Sequence, residues 1–143
     1  MELLYSTETG DEDHLAANQD APGVYYRNRL QDDDTTRAHW LGLDLVGATA
    51  GPRPHASTRD AIGARVRVGW GGRTQVREVT GGTGFASQSE RRLYFGLGRE
   101  TELKFVEIRW PSGVVQRLEE HQLPKLIDRT TRILEGDPPG GSR

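Results

Sequence analysis

Between positions 39 and 135 the apolar residues recur at every second place, in short runs cut by glycine. Side chains that alternate between two faces belong to strands, so this period commits the chain to β structure and leaves no room for long helices. Seven runs qualify: 39–46, 61–70, 74–80, 91–97, 103–110, 114–118 and 131–135. In the first, Leu41, Leu43 and Leu45 share a face; in the second, Ile62, Ala64, Val66, Val68 and Trp70 do, with Arg65 and Arg67 opposite. Val76 and Val79 in the third run are out of phase, which predicts a bulge. The chain holds eighteen glycines, and those between the runs supply turns. The fold class is therefore all-β: an antiparallel β-sandwich or flattened barrel of about seven strands. Its interior is predicted to hold Leu41, Leu43, Leu45, Ile62, Val66, Val68, Phe95, Val106 and Ile108. Residues 122–129 allow one helical turn, limited by Pro124.

Turn chemistry argues for two hairpins. Gly71 and Gly72 separate the second and third runs. A two-residue loop would set Val66 against Arg77 and mix core with solvent on one face. A loop that also takes in Arg73 pairs Val68 with Val76 and Trp70 with Thr74, so the longer loop is expected. At Trp110-Pro111-Ser112-Gly113-Val114, Pro111 and Ser112 suit the centre of a type I turn, and Gly113 supplies a positive φ. That register faces Glu107 with Arg117, an opposite-charge pair.

Charge divides the chain. Residues 1–36 hold nine acidic and two basic residues, a net charge of −7; residues 37–143 carry +5. Residues 1–36 thus form an acidic N-terminal arm, 37–135 the β domain, and 136–143, with two prolines and three glycines, a disordered tail. Val24-Tyr25-Tyr26 reads as a strand that docks on a sheet edge of the β domain, within a docked segment 23–30 and with disorder before it. Without cysteine there is no disulfide framework, thiolate metal site or cysteine nucleophile. No apolar run is long enough to span a membrane, and the acidic, polar first residues do not read as a secretory signal.

Candidate sites are few. The loop Gly81, Gly82, Gly84, Phe85, Ser87, Gln88 could turn backbone N–H groups towards an anion, or simply make a tight crossover with Phe85 as a plug. Arg65, Arg67 and Arg77, with Arg109 and Arg117, form a basic stripe suited to a polyanion, although Glu78, Glu107, Glu119 and Glu120 interleave and cross-strand pairing explains both signs. Asp11 and Asp13 are calcium candidates, too few for the six to eight oxygen ligands that calcium takes. His14, His39, His55 and His121 lack zinc spacing. Ser87 and Ser89 have no marked base, and no catalytic residue is assigned.

The string RDAIGARV (59–66), then QVREV (75–79), GFASQ (84–88), FGLG (95–98) and VEIRWPSG (106–113) resembles the ASPIC/UnbV domain in order and spacing over about 38–135. Thr58 departs from it, standing where that pattern has Asn. The segment before it, with Gly10-Asp11-Glu12-Asp13, Leu15-Ala16-Ala17-Asn18 and Val24-Tyr25-Tyr26-Arg27-Asn28, resembles the end of an FG-GAP/VCBS propeller repeat. The resemblance implies a non-catalytic interaction module, the C-terminal part of a larger propeller-containing protein that is extracellular, periplasmic or on the cell surface. It implies a preceding propeller as partner, a protein or glycan beyond it, and calcium only in the full-length parent; nucleic acid is disfavoured. Two other readings stand beside it: the wall of an enzyme site on the missing propeller, and polyanion or RNA binding through the Arg-rich face.

Overall fold

The computed structural model describes residues 2–6, 12–16, 22, 24–26, 38–48, 57–82 and 89–136. Among these residues ten strands appear, in three sheets. The first sheet joins β1 (Glu2–Ser6), β2 (Glu12–Ala16) and β3 (Val24–Tyr26) as an antiparallel meander. The other two make a sandwich. One sheet orders β10 (Thr130–Leu134), β4 (His39–Val46) and β7 (Leu93–Gly98). The other orders β6 (Arg73–Glu78), β5 (Arg65–Trp70), β8 (Leu103–Arg109) and β9 (Val115–Arg117). Each of the seven period-two runs overlaps one strand of the sandwich, and the described strands close no barrel.

The alternation fills the space between the two sheets. Leu41, Leu43 and Leu45 of β4 and Leu93, Phe95 and Leu97 of β7 meet Val66 and Val68 of β5 and Val106 and Ile108 of β8 in one apolar cluster. Burying each such side chain is worth about 1.5–3 kcal/mol. Trp110 caps the cluster and donates its indole N–H to Gln116 Oε1 at 2.9 Å. On the outer side of the first sandwich sheet, Gly42 has no room for a side chain: a Cβ there would lie 2.7 Å from Thr130 Oγ1 and 2.9 Å from the Tyr94 ring.

Several expectations are corrected. Ile62 is 43% exposed, and Ala61 is buried in its place, because residues 58–63 form turns and β5 begins only at Arg65. Ala61 N–H bonds the Thr58 carbonyl at 2.8 Å, so that turn is closed by backbone at the position where Asn is replaced. The β5–β6 loop is the two-residue one: Trp70 pairs with Arg73 and Val66 with Arg77. Gly71 and Gly72 both have positive φ, +46° and +77°, as a type I′ turn requires, and this turn matches strand twist better than a longer loop does. The ladder then runs without a bulge. Val76 faces outwards, 56% exposed, and Val79, just past the strand, is buried by plain alternation.

The last strand corrects the antiparallel expectation. β10 runs parallel to β4 over its whole length. The chain reaches it through the 3₁₀ turn Leu123–Leu126, whose two leucines are buried, and through Asp128 at φ +56°. Asp128 N–H bonds the Trp40 carbonyl at 2.8 Å and Glu135 N–H the Val46 carbonyl at 2.9 Å, so the parallel ladder is extended at both ends. Finally, β3 pairs with β2 in its own sheet and not with a sandwich edge, and the stretch expected to be disordered before it supplies β1 and β2. The predicted tail, from 137 onwards, lies outside the described residues.

Candidate functional site

The outward face of the four-stranded sheet carries the densest charge. Residues opposite one another on neighbouring antiparallel strands share a face, so the ladders define its rows. One row reads Glu78, Arg65, Arg109, Val115 across β6, β5, β8 and β9; the next reads Val76, Arg67, Glu107, Arg117. A third sets Thr74 and Phe105 on either side of Gly69.

Glu107 is the hub of the second row. It is the most enclosed of these charged groups, 15% exposed, and accepts hydrogen bonds from both flanking arginines. Arg67 Nη1 donates at 3.2 Å, and Arg117 donates through Nε at 2.7 Å and Nη2 at 2.6 Å. The Arg117 hydrogen bond, seconded by that of Arg67, holds the carboxyl below the usual glutamate range against the opposing effect of burial. Arg67 also lies over the Phe105 ring, 5.7 Å from its centroid. Phe105 in turn covers Gly69, where any Cβ would overlap the ring. In the first row Arg65 Nε reaches Glu78 at 2.6 Å. Arg109 has no carboxylate partner among the described residues, yet it stands directly opposite Arg65.

Of the predicted basic stripe, Arg65, Arg67, Arg109 and Arg117 are brought together. Arg77 is not: it points to the inner side of the edge strand β6, its guanidinium 6.0 Å from the Phe95 ring centroid. The cause is the two-residue turn, which puts Arg73, Gln75 and Arg77 on the core side of β6. Inward charges on an edge strand also discourage pairing with another chain.

The other candidates divide. Gly81 and Gly82 are described, with a Cβ at Gly81 falling 3.4 Å from Ile62. Gly84, Phe85, Ser87 and Gln88 lie outside the described residues, as do Asp11 and the side chain of Asp13, which stands in β2 opposite Tyr5. Among the described residues no three His, Asp or Glu side chains gather to hold a metal ion. No described helix is long and apolar enough to cross a membrane. A cleft of about 500 Å³ opens beside the 3₁₀ turn, its lining including Glu102, Lys104, Glu120, Leu123 and Pro124.

Two polar ties went unnoticed in the sequence. His39 Nδ1 lies 2.8 Å from Asp128 Oδ2 and fixes the start of the β4–β10 ladder. Glu135, 8% exposed, accepts from Ser112 Oγ and, at 2.8 Å, from Ala48 N–H, pinning the β8–β9 turn to the end of β10. Ser57 Oγ, also buried, accepts from Ser112 N–H at 3.2 Å. The partners are separated by up to 89 positions, and no local pattern joins them.

A family profile described as ASPIC and UnbV matches residues 54–137, more than half of the chain. The matched stretch takes in the charged sheet whole and leaves β4 upstream of its start. No curated protein matches the chain.

Proposed function

Since the chain belongs to the ASPIC/UnbV family, we propose that it serves as a non-catalytic interaction module, the C-terminal part of a larger propeller-containing protein that is secreted or displayed at the cell surface. The single observation that carries this reading is the sheet β1–β2–β3. It is an antiparallel meander in which consecutive strands are neighbours, as in a propeller blade, with three strands among the described residues where a blade has four. The residues of β3 leave Val24, Tyr25 and Tyr26 41%, 58% and 59% exposed, apolar surface that a neighbouring blade would cover. The FG-GAP/VCBS resemblance of the same segment agrees with this. The sandwich then follows the last blade and offers its outer face to a partner.

The test is the coding sequence upstream of Met1, together with expression of the parent it encodes. Propeller repeats preceded by an export signal are expected. In the parent, Tyr25 and Tyr26 should be protected from proteolysis that cuts there in this chain alone. An upstream sequence without such repeats, or equal cutting in both proteins, would refute the reading.

A further inference from the structure

Arg65 and Arg109 stand directly opposite one another on β5 and β8, the two central strands of an exposed face, where β5 begins and β8 ends. Like charges in directly opposed positions destabilise a sheet, and an antiparallel ladder built for stability alone would put an acid or an apolar residue in one of them. Elsewhere on this face the rule is obeyed: Arg65 faces Glu78, and Glu107 faces both Arg67 and Arg117. Four arginines to two glutamates leave one positive charge in excess on each of the two rows, and on the first of them Arg109 has no carboxylate partner among the described residues.

We propose that this face is a docking surface for an acidic polypeptide segment of a partner protein, with one carboxylate seated between Arg65 and Arg109. The reading rests on the interaction-module function above and assigns that module its partner chemistry. A guanidinium has five N–H donors in a planar fork, and Arg65 spends only its Nε on Glu78, so both arginines keep donors for an incoming carboxylate. The surroundings fit a peptide. Val115 ends the Arg65–Arg109 row, 51% exposed, and Val76 begins the next, 56% exposed. The Phe105 ring lies beyond Arg67. An extended peptide that alternates acidic and apolar side chains puts one kind on one face, and its flanking apolar residues reach these valines. A nucleic acid or sulfated glycan is a worse match. Its closely spaced anions would lie over Glu78 and Glu107, whose carboxylates are fixed in the face by their own hydrogen bonds.

The experiment titrates the 143-residue chain into a fluorescein-labelled peptide containing Glu residues flanked by Val and Leu, and follows anisotropy. The same peptide with Gln for Glu is the control, and single-stranded DNA and a sulfated polysaccharide are run in parallel. Binding of the Glu peptide is expected, with at least tenfold weaker binding of the Gln peptide and a loss of affinity as salt rises. Arg109→Thr and Arg65→Thr should each weaken binding about tenfold or more. Arg109→Thr should at the same time leave the melting temperature unchanged or raised, which separates a binding role from a structural one. Three results would each overturn the proposal: no preference for Glu over Gln, full binding by both variants, or tighter binding of the DNA or the polysaccharide by a route that needs the same arginines. Any of these leaves the propeller reading to its own upstream test.

Discussion

At Gly113 the obstacle to a side chain is the backbone and nothing else. Its φ is +87°, and a Cβ there would meet no atom within 4 Å. Gly113→Ala should therefore cost about 1–2 kcal/mol, the penalty of the left-handed region for an ordinary residue. Gly113→Asn should recover part of it, and Gly113→Val should be the worst of the three. Urea unfolding of the three variants orders these costs, and equal losses would show that the turn tolerates another geometry. Gly69 is the opposite case. Its φ is unexceptional, but a Cβ would overlap the Phe105 ring. Gly69→Ala must push Phe105 aside, at about 1–3 kcal/mol for overpacking, and should relieve the Arg67–Phe105 contact as it does so. The same denaturation experiment, repeated with Phe105→Leu, checks the cause: most of the cost of Gly69→Ala should vanish on that background.

Among the elements, the row Arg67–Glu107–Arg117 ties three strands through one carboxylate. Because the Glu107 carboxyl is held below the usual glutamate range, its contribution is fully present above the unfolded glutamate pKa of about 4.3 and is lost as pH falls through the lower folded value. Glu107→Gln should cost on the order of 1 kcal/mol at neutral pH. It should also flatten the fall in stability on acidification below the unfolded glutamate pKa, measured by chemical denaturation at each pH. Glu135 works at the same scale, joining the end of β10 to the β8–β9 turn. Glu135→Ala strands the Ser112 hydroxyl and the Ala48 N–H without this acceptor, a loss of about 1–3 kcal/mol. The legible and illegible parts of the fold divide here too. Period-two runs located every strand of the sandwich, because burial of one face leaves its mark on each strand separately. The β8–β9 turn was legible for a similar reason: Pro111 and Gly113 restrict the backbone locally. The β5–β6 register was not, because the apolar residues of β6 favour one loop length and the twist that Gly71-Gly72 imposes favours the other. β6 is an edge strand whose inner side is served by Arg73, Gln75 and Arg77 instead of valine. The basic face was legible as a list of arginines, and four of its five members do share a face. Which residues pair, and that Arg65 meets Arg109, follows only from the register of β5 on β8. The His39–Asp128 and Glu135–Ser112 ties depend on long-range closure and leave no local trace.

For the molecule as a whole, the apolar core and the acidic segment are separate matters. Among the residues whose burial is described, every buried apolar one lies at Trp40 or beyond, and β1–β3 form ladders only with one another. A chain that begins at residue 37 should therefore still unfold cooperatively, as followed by tryptophan fluorescence, since all three tryptophans remain. A broad, non-cooperative transition would mean that the first sheet is needed to complete the sandwich. The pairing of β10 with β4 has a further consequence, one of timing. The first strand of the sandwich to be synthesised takes as its edge partner the last one, and the whole domain lies between them. Contacts so distant along the chain are slow to form, because the entropy of closing the loop is spent before they repay it. During synthesis β4 must leave the ribosome and wait, one edge unpaired, until residue 134 has followed it out. The sandwich can assemble its four-stranded sheet early, but its other sheet is sealed only as the final strand arrives, and until then β4 is the place where a chaperone, or a wrong strand, would find an opening.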